Sequence, residues 1–225
     1  MKPAPRLLPP ALALALLLVP LSPGGPGVAR ADDTPASSQT DAPAERRTGI
    51  LLGLNLAGGL AGSSGYPNNA SKIGDPNYYS ASGLMTGSGA ALFIMGAIAD
   101  YLNFGLWFAS ATYENQDWRS SGGGAGVRVE AFPLYSLVPS LKDLGVFAQF
   151  GIGTTTLDAK FRSGVSSDGT EAFYGTGVFY EWKVARLIGG HVSLGPSFEY
   201  DVVRARAIER HAGDLGLRVV FYGGP

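Results

Sequence analysis

The chain has no cysteine among its 225 residues, and only three methionines and three tryptophans. Without thiols there is neither a thiolate metal centre nor a disulfide framework, so the fold must be held by hydrogen bonds and burial. Charge is scarce as well, at 16% of residues with a formal net charge of −1. That leaves no basic surface of the kind nucleic acid requires. Neither a Gly-rich phosphate loop nor an HExxH helix occurs, so no cofactor and no metal is expected. Beyond Leu21 no apolar run reaches the about 20 residues that a membrane-crossing helix needs. Glycine, by contrast, is plentiful: 33 residues, far above the usual level of about 7%.

Lys2 and Arg6 precede an apolar stretch from Leu7 to Leu21, interrupted by Pro9, Pro10 and Pro20 and followed by small residues ending in Ala29, Arg30 and Ala31. This is the three-part pattern of a secretory signal peptide, and cleavage is expected after Ala31. Its removal takes away Lys2, Arg6 and Arg30 but no acid, leaving a mildly acidic exported chain. Residues 32–47, DDTPASSQTDAPAERR, are polar, small and Pro-interrupted, the composition of a flexible linker. Residues 48–225 are expected to form one domain.

Within that domain the hydrophobic period is two. His191, Ser193, Gly195, Ser197, Glu199 and Asp201 alternate with Val192, Leu194, Pro196, Phe198, Tyr200 and Val202. Gly175, Gly177, Phe179, Glu181 and Lys183 alternate with Tyr174, Thr176, Val178, Tyr180, Trp182 and Val184. Strands send alternate residues to opposite faces, so each segment has one polar or bare face and one apolar face. Asp214, Gly216 and Arg218 oppose Leu215, Leu217, Val219 and Phe221, and Arg128 and Glu130 oppose Val127 and Val129. Segments at Ile50–Ala57, Asn103–Phe108 and Val146–Gly153 alternate with less contrast. Gly89–Ala99 is apolar on both parities and counts as the eighth strand, because a bacterial outer-membrane barrel closes on an even number.

The expected fold is therefore all-β, an eight-stranded antiparallel up-and-down transmembrane β-barrel. A soluble, lipocalin-like periplasmic binding barrel is the inverted alternative, with the apolar parity inside. Glycine favours the membrane form. Gly53, Gly105, Gly151, Gly153, Gly175, Gly177, Gly195 and Gly216 lie on the charged parity, where a crowded small-barrel interior needs missing side chains. The apolar parity carries Tyr174, Tyr180, Trp182, Tyr200 and Phe221, suited to the aromatic girdles at membrane interfaces.

With the linker periplasmic, the odd connections face outward and should be long: about 59–88, 114–124, 160–171 and 203–213. The last carries Arg204, Arg206, Glu209, Arg210 and His211 and suits an exposed hairpin. The connection at 136–144 is longer than the tight periplasmic turn expected. Inside, Arg128, Lys183, His191 and Arg218 would meet Glu130, Glu181, Glu199 and Asp201. Buried charges persist only when paired, so the lumen is expected to be plugged by an ion-pair network. The alternative use of those charges is a narrow porin-like channel.

The segment Asp214 to Phe221, DLGLRVVF, resembles the C-terminal sorting signal of outer-membrane barrels, although the chain continues beyond Phe221. With the leader and strand count, the chain is similar to the small outer-membrane barrel superfamily that includes the OmpA-like transmembrane domain. That resemblance implies insertion by the barrel-assembly machinery into the bacterial outer membrane. Outer-membrane lipid and lipopolysaccharide are the implied partners, with an extracellular partner possible at long loops. It assigns Asp214, Gly216, Val219 and Phe221 to sorting. His191, Ser193 and Glu199 also resemble the catalytic set of outer-membrane lipid A deacylases. Two facts oppose that enzyme: the parity points them inward, and eight residues at about 3.3 Å each place Glu199 about 26 Å from His191. No enzyme activity is expected.

Overall fold

The computed structural model describes residues 49–68, 70–161 and 166–224; the expected leader and linker lie outside the described residues. Nine strands form one antiparallel sheet: β1 (Ile50–Gly65), β2 (Ser80–Ala99), β3 (Leu102–Glu114), β4 (Trp118–Ala131), β5 (Leu144–Ala159), β6 (Ser166–Tyr180), β7 (Trp182–Leu187), β8 (Gly190–Arg204) and β9 (Ile208–Gly223). β1 pairs with β9 from Ile50↔Gly223 to Gly65↔Ile208, and β6 pairs with β8, so the sheet closes on itself. β6 and β7 form a single stave interrupted at Glu181. The result is a closed barrel of eight staves.

The outer wall is apolar at the rim where β1 begins, here the near rim. Leu52, Leu54 and Leu56 on β1, Leu92 and Ile94 on β2, Phe104, Leu106 and Phe108 on β3, and Leu215, Leu217 and Val219 on β9 are all exposed. Leu215 is 71% exposed and Ile152 on β5 is 70%. Meanwhile Arg128, Glu130, Glu181, Glu199 and Arg218 are buried inside. A soluble barrel requires the reverse, so the lipocalin-like alternative is excluded.

Two regions differ from the expected boundaries. The staves continue far past the apolar belt: β2 has 20 residues, which at about 3.3 Å each and a tilt near 40° rise roughly 50 Å, against a lipid-facing band of about 25 Å. Above the belt the outer wall turns to Ser88, Thr86, Ser110, Thr112, Ser121 and Thr154. Those hydroxylated, Gly-rich stretches read as loops in sequence, yet they pair as strands. The connections at the far rim shrink accordingly to 66–79, 115–117, 160–165 and 205–207. At the near rim, 100–101 and 188–189 are tight, and 132–143 is long because Phe132 folds under the barrel against Phe147 and Phe179.

Lys183 is the second correction. Parity placed it in the lumen, but every residue of β7 is exposed. β5 begins at Leu144, opposite Tyr180, so the chain beyond Glu181 has a partner only on the β8 side. The Glu181 amide turns instead to the Asp143 carbonyl at 3.2 Å, and the β7–β8 register shifts between Lys183 and Ala185. Past the rim there is no interior for Lys183 to face. Arg210 moves the opposite way. It was expected in an exposed hairpin, yet β9 begins at Ile208 and its even positions point inward, which buries Arg210.

Candidate functional site

The interior is organised around two guanidinium groups. Alternation on β4 turns Arg128 and Glu130 inward, β9 contributes Arg218, and Glu181 points inward from the break after β6. Arg218 Nη1 and Nη2 donate to Glu130 Oε1 and Oε2 at 2.7 and 2.8 Å, a bidentate pair, and its Nε donates to Glu181 Oε1 at 2.9 Å. Arg128 Nε donates to Glu130 Oε1 at 2.8 Å and Nη1 to Gln149 Oε1 at 2.9 Å. The Tyr222 hydroxyl donates to Glu181 Oε2 at 2.6 Å. Charge-assisted, bidentate bonds of this kind are what a desolvated ion pair needs to offset its lost hydration.

Aromatic rings complete the layer. The Arg128 guanidinium carbon lies 3.6 Å from the Phe147 ring centre, and that of Arg218 lies 4.3 and 4.2 Å from the centres of Phe93 and Phe179. This explains why β2 is apolar on both faces: Leu92 and Ile94 face out, while Phe93 lies inside as a cation–π partner. Gly53 is the counterpart of Phe93, because a Cβ there would fall within its ring.

Above this layer Gln149 Nε2 donates to Glu199 and, at 3.1 Å, to Asp201 Oδ1, while Asn55 Nδ2 donates to the other Glu199 oxygen at 3.4 Å. Tyr113 donates to Asp214 Oδ2 at 2.5 Å. A cavity of about 30 Å³ follows, lined by Gly89, Ala91, Ala109 and Ala111 among others and flanked by Arg210 and Asp214. Arg210 Nη1 and Asp214 Oδ1 have no hydrogen-bond partner among the described residues. A water needs roughly 10–15 Å³, so the cavity has room to hydrate both atoms. Met85, Tyr113 and Ala61 close the interior towards the far rim.

Six of the eight sequence-derived lumenal residues, Arg128, Glu130, Glu181, Glu199, Asp201 and Arg218, are therefore linked by hydrogen bonds directly or through Gln149. His191 sits at the near rim, stacked on Tyr222 at 4.9 Å between ring centres, and Lys183 is outside. Sequence reasoning did not single out Gln149, Asn55, Tyr113 or Tyr222, and it set Arg210 in an exposed hairpin. Gln149 and Asn55 stood on the correct parity but carried no charge to flag them. Tyr174, Trp182 and Tyr200 are exposed on the outer wall, with Tyr180 and Phe221 half-buried there, and Tyr180 packs on Trp182 at 5.3 Å. Of the sorting residues, Asp214 and Gly216 face in, and Val219 and Phe221 face out. Ser193 is buried on the inner face beside His191.

No family model matches the chain, and no curated protein sequence does. Solved structures similar to it include the attachment invasion locus protein Ail of Yersinia pestis, with 12% identity over 75% of this chain and 98% of that one and a TM-score of 0.44. Neisserial surface protein A, NspA, has 11% identity over 77% and 96% with a TM-score of 0.46. The outer membrane protein OprG from Pseudomonas aeruginosa has 7% identity over 80% and 100% with a TM-score of 0.35. The chain's own strand pairing shows the fold, a closed antiparallel β-barrel of eight staves.

Proposed function

We propose that this chain is an exported bacterial outer-membrane barrel of the small OmpA-like superfamily, with a structural or surface-interaction role. The observation that carries the reading is the inverted distribution of side chains, a continuous apolar belt outside and ion-paired charge inside. In water that belt would drive aggregation; in a bilayer it is the stabilising surface. The near rim faces the periplasm. The ion-pair layer plugs the lumen, since both Glu130 oxygens are engaged by Arg128, Arg218 and Asn103 and neither is free for a passing ion. Work is then left to the part standing above the membrane.

The proposed partners are outer-leaflet lipid including lipopolysaccharide, the barrel-assembly machinery acting on Asp214 to Phe221, and an extracellular ligand at the far rim. No reaction is proposed, because His191 and Ser193 face inward, away from lipid. The test is electrophoretic heat modifiability of the protein recovered from outer-membrane fractions: a closed barrel migrates differently before and after boiling. Recovery only from the soluble periplasm, without a shift, would refute the reading.

A further inference from the structure

Immediately above the apolar belt, β8 and β9 carry a cluster of ionisable side chains on the outer wall. On β9 the outward residues run Val219, Leu217, Leu215, then Gly213, His211 and Glu209; on β8 they run Phe198, Tyr200, Val202 and Arg204. The Tyr200 hydroxyl bonds His211 Nδ1 at 2.8 Å, and His211 Nε2 bonds Glu209 Oε1 at 3.1 Å. Arg204 lies directly across from Glu209 in the ladder, and Arg206 is exposed in the following turn. Neither arginine forms an ion pair among the described residues, so their charge is available from outside.

Beside this cluster the wall is bare. Gly213 lies between Leu60 and Tyr200 in the register, and Gly62 lies between Leu84 and His211. These glycines are not explained by packing: a Cβ on Gly213 would meet nothing within 4 Å, and one on Gly62 would meet only the Gly83 carbonyl at 3.8 Å. Interior glycines have neighbours that forbid a side chain; these two do not. Gly in a strand costs stability and marks a close approach by something else when packing does not demand it. Leu60 and Leu84, both exposed, border the bare strip with apolar surface.

We infer that this strip and the cluster above it form a binding site for one phosphorylated lipid of the outer leaflet, an acyl chain lying over Gly213 and Gly62 and the phosphate reaching Arg204 and Arg206. The inference rests on the membrane reading, because the strip lies at the edge of the lipid-facing belt. Its components match an amphiphile's own order, apolar first and anionic at the tip. The basic groups outnumber the single Glu209, which is itself engaged by His211. No bond is made or broken.

The full chain, refolded into phosphatidylcholine vesicles containing phosphatidic acid and then extracted for native mass spectrometry, tests this. Wild type retains phosphatidic acid in preference to phosphatidylcholine. At about fivefold per basic residue near an anionic surface, Arg204→Ala and Arg206→Ala each weaken that preference several-fold. Gly213→Leu, whose side chain enters open space, lowers retention without loss of the heat-modifiable fold. Equal retention of the two lipids, or undiminished retention by Gly213→Leu, overturns the site while leaving the barrel intact. Failure of the wild type to insert overturns both the site and the membrane reading.

Discussion

Replacing Arg218 with methionine keeps the aliphatic stem and deletes three charge-assisted bonds. Glu130 is left with Arg128 and a 3.4 Å contact from Asn103, and Glu181 with the Tyr222 hydroxyl alone. The layer changes from two guanidiniums facing two carboxylates to one facing two, all of it buried: Glu130 is 0% exposed and Arg218 1%. Breaking a buried pair from one side costs about 3–5 kcal/mol, because the orphaned charge stays desolvated. Urea unfolding of the barrel in vesicles, followed by loss of the heat-modifiable band, should show the midpoint fall at an unchanged slope. Adding Glu181→Gln should recover most of the loss, since the carboxylate left without a guanidinium is then gone and Arg128 and Glu130 remain as a pair. A cost below about 1 kcal/mol, the value of a solvated surface pair, would refute the reasoning and mean that water fills this layer.

Gly195→Ala should abolish the heat-modifiable form, because its Cβ would land on the backbone carbonyl of Tyr180, whereas Gly213→Ala should fold normally; normal folding of Gly195→Ala would count against the register at the β6–β7 break. Brominated lipids should quench fluorescence from Trp182, 55% exposed on the outer wall, and spare fully buried Trp107; comparing Trp182→Phe with Trp107→Phe checks this, and the opposite pattern would invert the faces. Beyond the belt at the far rim, Lys160 Nζ sits 3.1 Å from Glu114 Oε2 and its hydrogen bond and charge hold that carboxyl below its ordinary range. A lowered folded pKa means the contribution is present above the unfolded value and lost as pH falls through the folded one. Carbon-13 NMR should therefore read a Glu114 midpoint below the about 4.3 of a free glutamate, returning on Lys160→Ala; no displacement in wild type would refute the pairing.

What the sequence disclosed followed from parity. On β8 and β9, where contrast between faces is high, alternation assigned Glu199, Asp201 and Arg218 to the inner face they occupy. It failed where one of its assumptions did. Extrapolating through Glu181 carried Lys183 inside, because nothing in the local pattern records that β5 stops at Leu144. Gly89–Ala99 gave no contrast since Phe93 is an inner residue chosen for its ring face, a role set by Arg128 and Arg218 on distant strands. Arg210 was lost among loop-like neighbours whose pairing is decided by β1 and β8 across the wall. The far-half strands are built of Ser, Thr and Gly, which resemble turns in composition when no lipid requires them to be apolar.

The seam that closes the barrel joins the first strand, β1, to the last, β9, Ile50 against Gly223, and this has a consequence for assembly. The ion-pair layer draws Arg128 and Glu130 from β4, Glu181 from beyond β6 and Arg218 from β9; the β4 pair neutralises itself, but Glu181 has no guanidinium until the final stave arrives. A half-built sheet lying in hydrocarbon would expose carboxylates and guanidiniums to lipid as well as two unpaired edges. Closure at the seam and neutralisation of the interior are thus one cooperative event. The charges that stabilise the finished wall act, before closure, as a barrier against stepwise insertion of partial sheets.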